Sequence, residues 1–330
     1  MNAERQVKHK RILVTGGAGF IGSNLIEHLL KQDNEIVCLD NLLTGKIENL
    51  EAFQSHKNFS FIQGDIRHLK ICEKAVQGAD LVLHQAALGS VPRSIKDPLT
   101  TNEINITGFL NMLSAARNAK VKRFVYAASS STYGDNFTLP KVEDVIGKPL
   151  SPYAITKYVN ELYADVFSRL YGMETIGLRY FNVFGRRQDP EGAYAAVIPK
   201  IIKQLIRHES PLINGDGSYS RDFTYVENVV QANELAATVS NAEALNTVYN
   251  VAFGENTTLN QLFEKLKMAL GAFDSKILQV EKKHGPIREG DIPHSLASID
   301  KAKRLLDYQP QFNLEKGIEK AISWYWNHLK

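Results

Sequence analysis

The sequence predicts an α/β fold built on a doubly wound parallel sheet, and three observations support this prediction. The first half of the chain alternates short apolar strands with amphipathic helices. Gly16, Gly19 and Gly22 follow the first strand at fixed spacing, and small or acidic residues stand where later strands stop. Alternation of this kind favours parallel strands joined by right-handed helical crossovers. Ligands of such sheets bind beyond the carboxyl ends of the strands.

The first strand, over residues 12–15, runs through these glycines into a helix with a regularly spaced apolar face. Such a turn directs unpaired backbone N–H groups and the positive end of a helix at one spot, which suits a pyrophosphate. A second strand, over 35–39, ends in Asp40. Its carboxylate can hydrogen-bond a ribose 2′-hydroxyl and would repel a 2′-phosphate. The stretch therefore predicts a Rossmann domain that binds NAD in preference to NADP.

The remaining elements follow from apolar runs, helical periodicity and turn residues. Strands are predicted over 59–62, 81–83, 123–128, 174–179 and 248–252, and helices over 69–76, 97–118, 152–171, 194–207 and 226–239. Pro152 suits the first turn of its helix, and Thr258 with Gln261 resembles a capping box that opens another. We expect residues 1–180 to form the NAD-binding domain and 181–330 a smaller, discontinuous α/β lobe. Segments near 221–252 could return to the first domain.

Composition excludes several classes of protein. The chain has 330 residues, of which 44% are hydrophobic, so it can bury a large core. Its apolar runs are too short to span a membrane, and its polar, basic start lacks the apolar centre of a signal peptide. The net charge is only +3, without a basic stripe, so nucleic acid is not an expected partner. Scattered histidines predict no metal site, and Cys38 and Cys72 fit inert thiols in a cytoplasmic protein.

Tyr153 and Lys157 lie four residues apart on a predicted helix, so their side chains share a face. By itself such a pair is usually a surface feature, but here it follows a dinucleotide-binding loop and a strand that ends at Ser129. A phenol with a pKa near ~10 is a poor base at neutral pH. A neighbouring ammonium and a positive nicotinamide ring both favour the phenolate. The combination predicts that Tyr153 removes a proton from an alcohol while NAD⁺ takes a hydride. Ser129 would bridge the substrate oxygen and Tyr153, and Lys157 would hold the nicotinamide ribose.

The chain resembles the extended short-chain dehydrogenase/reductase family, most closely its bacterial UDP-N-acetylglucosamine 4-epimerases. The resemblance runs from Arg11 to the C-terminal helix. It rests on TGGAGFIG at 15–22, GDIR at 64–67, HQAALGSVPR at 84–93, SSSTYG at 129–134, SPYAITK at 151–157, RYFNVFG at 179–185, GAYAAVIPK at 192–200, SRDFTY at 220–225 and REGD at 288–291.

The resemblance implies an enzyme with tightly held NAD⁺ that oxidises C4′ of a UDP-sugar, lets the 4-keto sugar rotate and returns the hydride to its other face. The catalytic residues would be Ser129, Tyr153 and Lys157. The implied NAD-binding residues are Gly16, Gly19, Phe20, Ile21, Gly22, Asp40, Asn41, Thr44, Gly45, Asp65, Ile66, Gln85, Ala86, Ala87, Asn105, Ala127, Tyr153, Lys157, Tyr180 and Val183. The implied substrate-binding residues are Gly89, Ser90, Val91, Ser129, Ser130, Ser131, Tyr153, Asn182, Ala196, Val197, Lys200, Leu212, Ile213, Asn214, Arg221, Arg288, Asp291 and Ser295.

Within this set the resemblance assigns Arg221 and Arg288 to the diphosphate, and charge-assisted, forked hydrogen bonds suit arginine to that role. A small residue at Ser295 implies room for an N-acetyl group, so the expected substrates are UDP-N-acetylglucosamine and UDP-N-acetylgalactosamine. The family often carries serine where Leu43 stands, which removes a hydroxyl from the adenosine end of the NAD site. The resemblance also implies a homodimer that pairs the helices near 97–118 and 153–171.

Other interpretations remain at this point. UDP-glucose with UDP-galactose, or UDP-N-acetylhexosaminuronic acids, differ from the expected substrates by groups that one or two pocket residues can admit or reject. A nucleotide-sugar 4,6-dehydratase would commonly carry acidic residues directly after Ser129, where this chain has Ser130 and Ser131. A non-catalytic NAD-sensing protein would tend to lose Tyr153 or Lys157, and both are present.

Overall fold

The computed structural model describes residues 6–190, 196–287 and 292–330. Its strands are β1 (Arg11–Thr15), β2 (Glu35–Asp40), β3 (Phe59–Gln63), β4 (Leu81–His84), β5 (Arg123–Ser129), β6 (Glu174–Tyr180), β7 (Val183–Phe184), β8 (Leu212–Asn214), β9 (Ser220–Arg221), β10 (Thr224–Tyr225), β11 (Thr247–Val251), β12 (Thr257–Thr258) and β13 (Lys283–Gly285). Its α-helices are α1 (Phe20–Leu30), α2 (Leu69–Ala75), α3 (Val91–Lys96), α4 (Pro98–Asn102), α5 (Phe109–Asn118), α6 (Pro152–Tyr171), α7 (Val197–Ile206), α8 (Val226–Thr238), α9 (Leu259–Gly271), α10 (Asp300–Leu306) and α11 (Leu314–Leu329).

Seven of the strands in the described ranges form one parallel sheet in the order β11-β6-β5-β4-β1-β2-β3. The chain therefore winds outward from β1 in one direction through β2 and β3 and in the other through β4, β5 and β6. Val14 of β1 pairs with Cys38 of β2 on one side and with Leu83 of β4 on the other. The predicted doubly wound α/β sheet is confirmed. The strand order reverses beside β1, where such sheets bind their ligands.

The last strand of this sheet comes from late in the sequence. β11 pairs in parallel with β6, and Val251 lies opposite Tyr180. The segment 221–252 contains β11, which is the edge strand of the seven-stranded sheet. It also carries α8, which packs against α1 on one face of that sheet.

Apolar side chains on both faces of the sheet are covered by helices. One buried cluster joins Ile12 and Val14 of β1 to Leu25 of α1 and Val229 of α8. A second joins Leu13 of β1 to side chains of α2, α5 and α6 on the opposite face. Because both faces are covered, the strands are near-continuous apolar runs, as expected of a parallel sheet.

The C-terminal half has its own apolar cluster, formed largely by α7, α9 and α11. Short strand pairs, β8 with β13 and β9 with β12, connect distant parts of this lobe. The predicted capping box at the start of α9 is confirmed, because the Thr258 and Gln261 side chains each bond the other's backbone N–H.

One predicted helix is interrupted. The stretch predicted over 97–118 consists of α4, a π-helical segment over Glu103–Gly108, and α5. Asp97 caps α4 through the N–H of Thr100, and Pro98 occupies its first turn. Periodicity alone did not reveal the wider turn, because a π-helical segment keeps the helical direction and shifts the register of the side chains that follow.

Cys38 and Cys72 are free and buried, as predicted. Burial raises the pKa of both thiols, that of Cys72 to about 12. No helix in the described ranges is long and apolar enough to cross a membrane.

Candidate active site

The glycine turn after β1 leaves a cradle that a side chain would fill. Gly16 has a φ of +68°, and a Cβ at this position would come within 2.7 Å of the backbone nitrogen of Ala86. A Cβ on Gly22 would collide with the carbonyl of Gly16. Gly19 starts α1 without a side-chain cap, so its first turn presents N–H groups and the positive end of the helix dipole. These features fit a pyrophosphate.

A cavity of about 400 Å³ opens at this turn, beyond the carboxyl ends of the central strands. Most of the predicted NAD-binding residues and all three predicted catalytic residues line it. The predicted residues that line it are Gly16, Gly19, Phe20, Ile21, Gly22, Asp40, Asn41, Thr44, Gly45, Ile66, Gln85, Ala86, Ala87, Gly89, Ala127, Ser129, Tyr153, Lys157 and Tyr180. The sequence motifs therefore converge on one elongated site.

Asp40 ends β2 at the wall of this cavity. Its Oδ2 accepts the N–H of Ala18 at 3.0 Å and its Oδ1 accepts the N–H of Leu42 at 2.8 Å. Burial raises the pKa of Asp40, and these N–H donors oppose the rise. Because each carboxylate oxygen has a second lone pair, the group can still accept a ribose hydroxyl. Leu43 also lines the cavity and is 56% exposed. The apolar side chain at this position therefore offers the cavity no hydroxyl, unlike the serine expected from the resemblance.

Lys157 is held rigidly on the buried face of α6. Its side chain is buried, and Nζ donates to the carbonyl of Ala127 at 2.8 Å, which anchors the helix to the end of β5. Burial lowers the pKa of Lys157 to about 8, and the charge of Glu161 opposes that shift. The ammonium lies 6.0 Å from the ring centroid of Tyr153.

The electrostatics of Tyr153 differ from the sequence prediction. In the protein alone burial raises the pKa of Tyr153, and a hydrogen bond with Ser129 opposes the rise. Lys157 is not among the groups that shift the pKa of Tyr153 in the protein alone, and its ammonium donates to the Ala127 carbonyl. A lowering of this pKa by Lys157 together with the positive nicotinamide ring stays a prediction for the NAD-bound protein.

Ser129 terminates β5 between Tyr153 and the serines that follow. Its Oγ accepts from the backbone N–H of Ser131 at 3.1 Å and from the Ser131 hydroxyl at 2.9 Å. With both acceptor positions used, the Ser129 hydroxyl remains as a donor, and it forms a hydrogen bond with Tyr153. Ser130 and Ser131 begin a single 3-10 turn, Ser130–Tyr133, and do not line the cavity.

Three predicted NAD-binding residues lie outside the lining. Asp65 is paired with Arg67 at 2.8 Å, which with other hydrogen bonds lowers the pKa of Asp65 to about 2. The Asn105 amide bonds both backbone groups of Leu88, so it shapes the wall behind the lining. Val183 begins β7 and packs between two apolar clusters.

Of the predicted substrate residues in the described ranges, Gly89, Ser129 and Tyr153 line the 400 Å³ cavity and the others lie outside its lining. Ser90 caps α3, which begins at Val91. Ala196, Val197 and Lys200 lie at the start of α7, and Leu212, Ile213 and Asn214 form β8. Asn182 donates to the carbonyl of Asp222 at 3.2 Å, and the N–H of Ser295 donates to the carbonyl of Ser220, next to Arg221, at 3.1 Å. Arg288 and Asp291 lie outside the described residues.

Several residues of the site were missed from sequence. Leu39, Leu88 and Ile104 line the cavity as ordinary apolar residues, so no motif distinguished them. Asn233 of α8 bonds both Gln85 and the hydroxyl of Tyr180, fixing two lining residues from a distant helix. No local pattern in the sequence indicates that contact.

A substitution at Gly16 tests the cradle. We expect Gly16→Ala to lose most of the NAD that copurifies with the protein, because the added methyl group meets the backbone of Ala86. Gly172→Ala is the matched control, since Gly172 also has a φ of +68° but a Cβ there would meet nothing within 4 Å. Both variants carry backbone strain of about 1 kcal/mol. NAD released on denaturation is the measurement, and equal NAD contents in the two variants would contradict the assignment.

The geometry defines a class: a dinucleotide-dependent enzyme with a tyrosine–lysine pair at the end of a parallel sheet. Residues 12–252 match the NAD dependent epimerase/dehydratase family. The chain belongs to this family, in agreement with the resemblance seen in its motifs. The sequence predicted NAD as the cofactor and an NAD-dependent enzyme of this family, and both predictions are confirmed.

Relatives cover nearly the whole chain. A putative UDP-glucose 4-epimerase of Methanocaldococcus jannaschii is 36% identical over 96% of this chain and 99% of its own. A UDP-N-acetylglucosamine 4-epimerase of Methanobrevibacter ruminantium, solved with UDP-N-acetylmuramic acid, is 40% identical with a TM-score of 0.90, over 97% of this chain and 99% of its own. A UDP-glucose 4-epimerase of Thermotoga maritima, solved with UDP-glucose, is 37% identical with a TM-score of 0.89, over 97% and 100%. These relatives are isomerases of UDP-sugars that differ in the sugar.

Proposed function

We propose that this protein interconverts UDP-N-acetylglucosamine and UDP-N-acetylgalactosamine by epimerisation at C4′. The observation that carries the proposal is the convergence of Ser129, Tyr153 and Lys157 on the cavity of the glycine turn. The small side chain at Ser295, tied by its backbone N–H to the strand that carries Arg221, supports an N-acetylated sugar. The relative from Methanobrevibacter, solved with an N-acetylated UDP-sugar, supports the same choice.

The chemistry assigns each residue one task. Tyr153 takes the proton of the 4′-hydroxyl, and Ser129 donates a hydrogen bond toward the same oxygen. Lys157 holds the ribose, and its ammonium, whose charge burial disfavours and Glu161 favours, stabilises the phenolate in the NAD-bound protein. NAD held in the cavity of the glycine turn would supply the redox chemistry, with the oxidised form accepting the hydride and the reduced form returning it. Because the hydride is taken up and returned in one catalytic cycle, net redox is zero and no added cofactor is needed.

The substrate is placed by the lobe. Arg221 and Arg288 bind the diphosphate, where a forked guanidinium matches paired phosphate oxygens. Asn182 and Lys200 contact the nucleotide-sugar, and Ser130 and Ser131 lie beside the sugar. These serines leave no acid and base for eliminating water, so a 4,6-dehydratase is disfavoured.

Epimerisation of UDP-glucose and UDP-galactose is the second candidate, and the relative solved with UDP-glucose favours it. The two candidates separate in one assay. The purified protein is given UDP-N-acetylglucosamine and, in parallel, UDP-glucose without added NAD, and the sugar signals are followed by proton NMR. We expect faster conversion of the N-acetylated substrate to its galacto form. Faster conversion of UDP-glucose would overturn the sugar assignment while leaving the epimerase.

We also propose a homodimer formed by α3, α4 and α6. These helices contact one another and carry exposed apolar side chains: Ile95 is 63%, Leu99 77%, Ile155 50% and Leu162 48% exposed. Burying them against a second copy would remove apolar surface from water. Light scattering at micromolar concentration should give the mass of a dimer for the wild type and the mass of a monomer for Leu162→Glu. A monomeric wild type would remove the proposal.

A further inference from the structure

Asp222 is a buried carboxylate for which the mechanism above has no role. Its side chain has 0% exposure, and it lies in the turn between β9 and β10, directly after Arg221. The groups that bond it in the described structure are backbone N–H donors. Oδ1 accepts from Phe253 at 3.1 Å and Gly254 at 3.3 Å, and Oδ2 accepts from Gly254 at 3.1 Å and Ala297 at 3.3 Å.

These donors come from two separate parts of the molecule. Phe253 and Gly254 lie two and three residues after β11, the edge strand of the NAD-binding sheet. Ala297 lies two residues after Ser295 and forms an isolated bridge with Lys141. Asp222 therefore joins three segments: the turn that carries Arg221, the end of the large sheet and the stretch that carries Ser295.

Two of these segments, the turn that carries Arg221 and the stretch that carries Ser295, are linked by further contacts around Asp222. Ser220 bridges to His294, and its hydroxyl lies 2.7 Å from the His294 ring. The Arg221 guanidinium donates to the carbonyl of Pro293 at 3.2 Å. Asn182 donates to the carbonyl of Asp222 itself. Three of the residues proposed for the substrate, Arg221, Asn182 and Ser295, thus lie in segments that meet at Asp222.

Burying the charged form of Asp222 costs free energy. Burial raises the pKa of this carboxyl to about 7, although its N–H donors oppose the rise. Glu255 adds to the rise. An apolar side chain would avoid that cost but would leave buried N–H groups without acceptors. The three donors therefore account for a carboxylate at this position.

We infer that Asp222 is a positioning residue for the UDP-sugar: it holds Arg221 and the Ser295 segment in register with the end of the NAD-binding sheet. The inference rests on the proposed function, because it takes the nucleotide-sugar as the ligand of this lobe. Asp222 acts through these neighbours and takes no part in the proton or hydride transfer.

Asp222→Asn tests the inference. The amide keeps one acceptor oxygen, but its NH₂ group replaces the other oxygen and faces N–H groups that then have no acceptor. We expect the Kd for UDP, measured by calorimetry, and the KM for the UDP-sugar both to rise by about tenfold. The kcat and the amount of bound NAD should stay near wild type, since the cavity of the glycine turn is untouched. Asp222→Ala, which loses both acceptor oxygens, should raise the Kd for UDP further.

Glu234→Gln is the matched control. Glu234 is also a buried carboxylate that accepts a backbone N–H, from Val7 at 3.3 Å, but it lies on α8, and Val7 and His28, which contact its carboxylate, belong to none of the three segments. Its substitution should leave the Kd for UDP unchanged. A Kd for Asp222→Asn equal to that of wild type, or raised equally in Glu234→Gln, would overturn the positioning role.

Amide hydrogen exchange of the wild-type holoenzyme provides a second measurement, should the Asp222 variants not fold. UDP should increase the protection of the Phe253, Gly254 and Ala297 amides. Unchanged exchange at these amides while UDP binds would refute the inference and leave the proposed function intact. A wild type that binds neither UDP nor any UDP-sugar would instead refute the proposed function, and this inference with it.

Discussion

Tyr153→Phe is expected to lower kcat by about 10³-fold while the protein keeps its fold and its bound NAD. General acid–base catalysis by a positioned side chain contributes about 10²–10⁴-fold, and phenylalanine retains the ring without the proton-carrying oxygen. Tyr153 lies at the start of α6 among buried groups, with its ring 6.0 Å from the Lys157 ammonium. The measurement is turnover of the UDP-sugar at saturation, with NAD content determined on the same sample.

Tyr158→Phe is the matched control for this prediction. Tyr158 lies on the same helix as Tyr153 but does not line the cavity. We expect its kcat to remain near wild type. Near-normal activity in Tyr153→Phe would mean that another group is the base, and loss of NAD from this variant would mean that the hydroxyl holds the cofactor as well.

Arg179→Met has the largest expected effect on stability. Arg179 donates two hydrogen bonds to Glu161, at 2.9 and 2.8 Å, and a third to the carbonyl of Glu143, and both charged side chains are buried. Its guanidinium also lies 4.9 Å from the ring centroid of Tyr133. Removing the arginine strands the Glu161 carboxylate in the interior. The free energy of unfolding should fall by about 3–5 kcal/mol, measured by denaturant titration.

A surface ion pair on α6, the helix that carries Glu161, provides the comparison. Arg169 pairs with Asp165 at 2.7 Å, but their side chains are 67% and 53% exposed. Arg169→Met should therefore change the free energy of unfolding by no more than about 1 kcal/mol. Replacing Arg179 and Glu161 together by apolar residues should recover much of the loss. Similar losses of unfolding free energy for Arg179→Met and Arg169→Met would show that the buried Arg179–Glu161 pair does not stabilise the protein more than the surface pair does.

The central sheet could be predicted because its determinants are local. A buried run such as β1, the glycine spacing after it and the acidic residue that ends β2 are each visible within a few residues. The same holds for the Thr258 capping box. β11 was visible as a strand, but its place beside β6 depends on contacts between distant segments.

The parts that sequence did not reveal depend on long-range contacts. The bonds from Asn233 to Tyr180, from Arg179 to Glu161 and from Asp222 to Ala297 join residues far apart in the chain. The raised pKa of Tyr153 in the protein alone was likewise not visible in the sequence, since it comes from burial in the folded structure. Residue types and spacing predict which groups carry the chemistry, whereas burial and bonding set their protonation.

Retention of an isotope label at C4′ tests the central claim of 4-epimerisation most directly. UDP-N-acetylglucosamine carrying deuterium at C4′ is incubated with the purified protein and no added NAD, and the product is examined by NMR and mass spectrometry. We expect a galacto product that keeps its deuterium at C4′, because the hydrogen removed from that carbon is returned to it. A product that has exchanged this deuterium for solvent hydrogen, or no conversion of any UDP-sugar by NAD-loaded protein, would contradict 4-epimerisation by this route.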